Sequence, residues 1–183
     1  MSSESLVCLL GVVDGTDLVK LQRVAGTLEP VNLLERVTKL HMYNVDKSLA
    51  SVPYNALSLL PNLREFIMTK AFIELTSETN YGLSKLIRLT LDQCRIKSLP
   101  KGAFKATPEI RYLSLMGNII DFIDVDAFEG LTKLVALFLN ENLLTHLPGG
   151  VFRHTPNINM IFLNANKLPN LSEDLFTGLY KLE

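Results

Sequence analysis

Residues 86–109 read LIRLTLDQCRIKSLPKGAFKATPE, and the three stretches that follow restate them. Residues 110–133 are IRYLSLMGNIIDFIDVDAFEGLTK, 134–157 are LVALFLNENLLTHLPGGVFRHTPN, and 158–181 are INMIFLNANKLPNLSEDLFTGLYK. Each copy is 24 residues long and none needs a gap. Self-similarity at a fixed period of this length marks a solenoid, in which each copy forms one coil and buries its apolar face against its neighbours.

The columns of the alignment say how a coil is built. Leu89 and Leu91, Leu113 and Leu115, Leu137 and Leu139, and Ile161 and Leu163 stand two apart, so both members point inward from one short strand. Stacked coils place these strands side by side in parallel, and parallel strands need a crossover. The crossover contributes Ile96, Ile120, Leu144 and Leu168, then Leu99, Ile123, Leu147 and Leu171, as further inward residues. Phe104, Phe128, Phe152 and Phe176 form an aromatic column on the far side. Just past the strand come Cys94, Asn118, Asn142 and Asn166. A side-chain amide both donates and accepts, so this column is expected to act as a ladder that satisfies turn backbone. The expected architecture is an α/β-type solenoid, with a parallel sheet on the concave face and an irregular or short-helical convex side.

Working outward, the period continues in weaker form toward the N-terminus. Residues 37–62 make a first repeat of 26 residues and 63–85 a second of 23, which gives six repeats over 37–181 with boundaries at 37–62, 63–85, 86–109, 110–133, 134–157 and 158–181. Residues 182–183 open a seventh, with no capping segment after it, so the chain reads as a fragment of a longer protein or as one whose open end a partner subunit covers. Repeats ending in Pro alternate with repeats ending in Gly-Leu-x-Lys, so the duplicated unit is a pair of repeats. Ahead of them, residues 1–36 are expected to form an N-terminal cap and connector. Two apolar runs, 7–13 and 18–24, flank Asp14-Gly15-Thr16-Asp17, a hairpin signal, and a solenoid needs a cover on its first coil.

Composition narrows the function. The chain has 183 residues, 48% apolar content and a net charge of −1, enough for a sizeable core and too neutral for a nucleic-acid partner. No apolar run reaches the roughly 20 residues that span a bilayer. The opening MSSESLVCLLGVV carries Glu4 where a leader has basic residues, and reads as mature chain.

Candidate chemistry is sparse. His41, His146 and His154 fall in unrelated columns without metal or triad spacing, and read as solvated surface histidines. Asp121, Asp124 and Asp126 lack the glycine and terminal glutamate of a calcium loop, and read as turn-capping residues. Asn170-Leu171-Ser172 is an acceptor triplet for glycosylation. No catalytic residue, metal ligand or cofactor site is expected. Cys94 is expected to be a buried ladder thiol, too far from Cys8 to bond it, whereas Cys8 is either buried in the cap or free to join another chain. The open C-terminal end and Cys8 are the two routes to a dimer.

The outward positions of the strands are more informative. Down the stack the three rows are Lys39, Glu65, Arg88, Tyr112, Ala136, Met160; His41, Ile67, Thr90, Ser114, Phe138, Phe162; and Tyr43, Thr69, Asp92, Met116, Asn140, Asn164. Polar and charged residues fill the N-terminal half, while Tyr112, Met116, Phe138, Met160 and Phe162 cluster in the C-terminal half. A contiguous exposed apolar patch with aromatics marks a protein-binding surface. The alternative is that another piece of the same longer chain covers it.

The phenylalanine-bearing segments LPKGAF, IDVDAF, LPGGVF and LSEDLF, set in the pattern L-x-x-L-x-L-x-x-N/C-x-L, resemble the typical leucine-rich repeats of Toll-like and Slit-like extracellular proteins. VCLLGVVDG, VAG, ERVTKLHMYN and LLPNLREF resemble the start of insect secreted leucine-rich repeat proteins, in which a cysteine-bearing hairpin precedes a divergent first repeat. The resemblance implies an extracellular or secreted protein, or the ectodomain of a membrane protein. It implies non-catalytic binding of a protein ligand, in innate immunity or cell adhesion. The chain departs from the Toll-like and Slit-like pattern in having no cysteine-clustered caps, membrane span or signalling domain. Two other functions remain open on the residues alone: a structural or matrix repeat protein, and the substrate-recruiting part of a larger, ubiquitin-ligase-like protein.

Overall fold

The structure, a computed structural model, describes residues 5–7, 37–43, 57, 60–76 and 83–183. The strands described are, in chain order, β1 (Ser5–Val7), β2 (Lys39–Tyr43), β3 (Glu65–Thr69), β4 (Arg88–Asp92), β5 (Ser98–Leu99), β6 (Tyr112–Ser114), β7 (Phe122–Ile123), β8 (Ala136–Phe138) and β9 (Met160–Phe162). Seven of them form one parallel sheet in the order β1-β2-β3-β4-β6-β8-β9, and β5 pairs with β7 in a small second sheet. The order follows the sequence because each crossover returns the chain one strand further along, which is what defines a solenoid.

Register is set by the apolar columns. Leu40 pairs with Phe66, Phe66 with Leu89, Leu89 with Leu113, Leu113 with Leu137 and Leu137 with Ile161. A slip by one residue would turn every one of these side chains to the opposite face, so burial of one face holds the pairing. In β3 the alternation is complete: Phe66 and Met68 are buried, while Glu65, Ile67 and Thr69 are half-buried. The interior is closed on the far side by stacked rings. Phe104 and Phe128 have centroids 6.3 Å apart, Phe128 and Phe152 5.9 Å, and Phe152 and Phe176 6.2 Å. The first three are fully buried and Phe176 partly so.

The column after the strands binds coil to coil. Asn118 accepts the backbone N–H of Cys94 at 2.8 Å and of Ile96 at 3.1 Å, and its Nδ2 donates to the carbonyls of Leu91 and Leu115. Asn142 repeats the pattern one coil on, with Ile120, Leu115 and Leu139, and Asn166 does so with Leu144, Leu139 and Leu163. Cys94 has no amide to contribute. Its buried Sγ lies 3.4 Å from the carbonyl of Met68 and 3.3 Å from that of Asp92, both within reach of its single S–H.

Two further devices escape a reading of columns. Thr107 and Thr155 are fully buried where the alternate coils have Leu131 and Leu179, and each hydroxyl donates to the carbonyl three residues back, on Phe104 and Phe152. Apart from the β5–β7 pair the crossovers are built of turns and irregular segments: among the described residues of 83–183 there is no α-helix.

Two expectations change. Leu171, expected inward, is 49% exposed, because the last described coil has a neighbour on one side only; Leu168 is likewise only partly buried. Ala136, expected outward, is fully buried, since its methyl is flanked in register by the longer Tyr112 and Met160. At the other end β1 adds a parallel strand to β2, with Leu6 in the line of Leu40. The expected cap hairpin over 7–13 and 18–24, beyond Val7, lies outside the described residues, as does Cys8.

Candidate protein-binding face

The outward side chains of β2, β3, β4, β6, β8 and β9 make one face, and its two halves have different chemistry. At the N-terminal half Glu65 is the hub. Its carboxylate lies 2.8 Å from Nε2 of His41, 3.7 Å from Nζ of Lys39 and 3.4 Å from Nε of Arg88. The Arg88 guanidinium also lies over the Tyr112 ring, 4.5 Å from its centroid, so charge and ring quadrupole attract. One coil further on, Asp92 accepts from the Ser114 hydroxyl at 2.6 Å and from the Met116 N–H at 3.0 Å. Burial pushes the Asp92 carboxyl above its ordinary pKa, against the opposing pull of those two hydrogen bonds.

The C-terminal half is apolar. Phe138 and Phe162 are in register on β8 and β9, and their rings stack with centroids 4.7 Å apart and planes 3° from parallel. Phe162 and Met160 are both 39% exposed, while Tyr112, Met116 and Phe138 are half-buried. The five expected residues therefore share one face. Strands rather than loops carry all but Met116, which directly follows Leu115 beyond β6. The groups that composition and spacing did not single out are Glu65 and Arg88, whose partners lie on adjacent coils. Their signal was the row Lys39, Glu65, Arg88, Tyr112, in which charge alternates from coil to coil.

A second polar cluster sits on the crossovers. Asp126 pairs with Lys101 at 3.4 Å, with Arg153, and with Nε2 of His154 at 2.9 Å. The hydrogen bond from His154 is the first cause of an Asp126 pKa below the usual carboxylate range. Asp124 accepts the N–H of Asp126 at 2.8 Å, which is turn capping, while Asp121 is exposed. Of the histidines expected to be solvated, His41 and His154 are instead half-buried against carboxylates contributed by neighbouring coils, and only His146 is exposed. Cross-coil pairing at sequence separations of 24 and 28 lies outside the short spacings from which triads or metal sites are read. Among the described residues no three His, Cys, Asp or Glu side chains are grouped to hold a metal ion, and no helix is long and apolar enough to cross a membrane. Asn170 is exposed beside Leu171 and Ser172.

A parallel sheet laid down one strand per coil, with an asparagine ladder behind it and a phenylalanine column opposite, is the architecture of a leucine-rich repeat solenoid. The family model described as leucine rich repeat matches residues 84–144 and 134–183, together more than half of the chain, and the protein belongs to that family. No curated protein matches it. Leucine-rich repeat domains are in general protein–protein interaction modules without catalytic function.

Proposed function

We propose that this chain is a non-catalytic recognition module that binds a protein partner on the outward face of its sheet, outside the cell. The observation that carries the reading is the Phe138–Phe162 stack: two parallel rings held on adjacent strands, beside the exposed Met160. Large apolar side chains of this kind lose little conformational freedom on binding, because the strands already hold them, and aromatics so placed are typical interface anchors. Extracellular placement is supported by the resemblance of the 24-residue phenylalanine-bearing repeat to Toll-like and Slit-like proteins, which also favours a role in innate immunity or adhesion.

The test is affinity capture by the immobilised chain, wild type beside Phe138→Asp with Phe162→Asp. Both side chains face outward, so the double variant is expected to keep the wild-type circular dichroism and to lose the retained partner. Equal retention by both proteins would place the binding surface elsewhere.

A further inference from the structure

Charge and apolar surface are sorted along the same strip, and this sorting specifies the partner more closely. The inference rests on the sheet face being the binding surface. Lys39 and Arg88 are the cations of the outward rows on β2–β4, against Glu65 and Asp92. The side chains of Lys39 and Arg88 are 44% and 45% exposed. Glu65 is only 20% exposed and already faces Lys39, His41 and Arg88. Asp92 is half-buried and already accepts from Ser114 and Met116, so the more accessible charges on this half are the positive ones.

Arg88 is the best prepared of these groups. Its planar head rests on the Tyr112 ring and its Nε faces Glu65, so the guanidinium is oriented in advance while remaining accessible. A guanidinium held this way gives up little entropy when it pairs with a carboxylate, for which its fork geometry is suited. It also stands at the boundary with the apolar half, since Tyr112 belongs to both.

We propose that the partner is a protein segment that places an Asp or Glu carboxylate on Arg88 and an aromatic or large aliphatic side chain on the Phe138–Phe162 stack. Arg88 is on β4, and β8 and β9 follow two and three strands further along the sheet. At the usual strand spacing the two anchor points are roughly 10–14 Å apart. An extended chain crossing the strands covers that distance in about three to four residues, so the acidic and apolar residues stand that far apart in the partner.

The experiment is selection of a displayed library of random linear peptides on the full chain, followed by fluorescence-polarisation titration of synthetic peptides from the enriched set. Peptides pairing Asp or Glu with Phe, Tyr, Leu or Met at that separation are expected. Replacing the acid by its amide, or Arg88 by Glu, should weaken each by roughly tenfold, and Arg88→Lys, which keeps the charge but not the planar fork, by less. If Phe138→Asp abolishes binding while Arg88→Glu and the amide peptide change nothing, the acidic requirement is overturned and the sheet-face reading stands. If Phe138→Asp and Phe162→Asp leave binding intact, the sheet-face reading itself fails. Enrichment of basic peptides, or of none, overturns the proposal, as does binding of a heparin fragment in place of any acidic peptide.

Discussion

A methyl group added to Gly117 would meet Cγ of Gln93 at 3.0 Å, and both residues are left-handed, at φ +67° and +56°. They occupy one column, completed by Lys70 (φ 55°), Glu141 (φ 59°) and Ala165 (φ 56°). At this point each coil turns out of its strand, and the N–H groups of Lys70, Gln93, Gly117 and Glu141 donate to the next coil, to the carbonyls of Asp92, Met116, Asn140 and Asn164. The left-handed turn is thus a condition of stacking, and four non-glycine side chains tolerate it. The left-handed region costs an L-residue about 1–2 kcal/mol, less the extra unfolded-state entropy of glycine.

Ala165→Gly and Glu141→Gly should accordingly stabilise the protein by about 0.5–1 kcal/mol each, whereas Gly117→Ala should destabilise it by at least about 1 kcal/mol. Thermal or urea unfolding of the three variants checks the signs, and a stabilising Gly117→Ala would contradict the account.

Removing the Asn118 amide should be costly. Asn118→Ala strips hydrogen bonds from the N–H groups of Cys94 and Ile96 and the carbonyls of Leu91 and Leu115, all inside the stack. Each buried group left unpaired costs about 1–3 kcal/mol, so the loss should be several times that of Asn166→Ala, whose side chain is only half-buried. Comparable losses at the two sites in denaturant titrations would deny the ladder its position-dependent weight.

The phenylalanine column makes a graded prediction. Phe128 is fully buried between Phe104 and Phe152, so Phe128→Ala should cost about 3–5 kcal/mol. Phe176 stacks on Phe152 but keeps part of its surface in water, and Phe176→Ala should cost clearly less. Equilibrium unfolding of the pair provides the comparison.

Cys94 gives the protein an alkaline limit. Burial pushes its thiol from about 9.0 up to about 12, so between those values the unfolded thiol ionises while the folded one stays protonated. This contribution is intact below pH 9.0 and is lost as pH rises toward 12, at about 1.4 kcal/mol per pH unit. Cys94→Ala should flatten that part of the stability profile. In the folded wild type at pH 8, iodoacetamide should label Cys94 far more slowly than in denaturant.

What could be read in advance divides along a physical line. The inward leucines, the phenylalanines and the asparagines recur at a fixed period, so their columns are visible in residue identity alone, and strand register follows from them. The left-handed column is not visible that way. Glycine or asparagine normally announces a positive φ, and only Gly117 does so here, because the hydrogen bond to the next coil holds Lys70, Gln93 and Glu141 in the same conformation. Thr107 and Thr155 were equally hidden: a threonine is surface-like by type, and only its bond to the carbonyl of Phe104 or Phe152 explains its burial.

The amino-acid order alone determined that the chain coils, the 24-residue period from residue 86 onward and most of the columns that fill it, because those properties repeat and repetition can be read locally. Tertiary structure decided the pairings between coils: Glu65 with His41 and Arg88, Arg88 with Tyr112, Phe138 with Phe162, and Asp126 with His154. Each joins residues a full coil or more apart in the chain, and such contacts exist only after the strands have closed to within about 5 Å of one another. Which outward side chain leans on which neighbour depends on length, charge and rotamer at that separation.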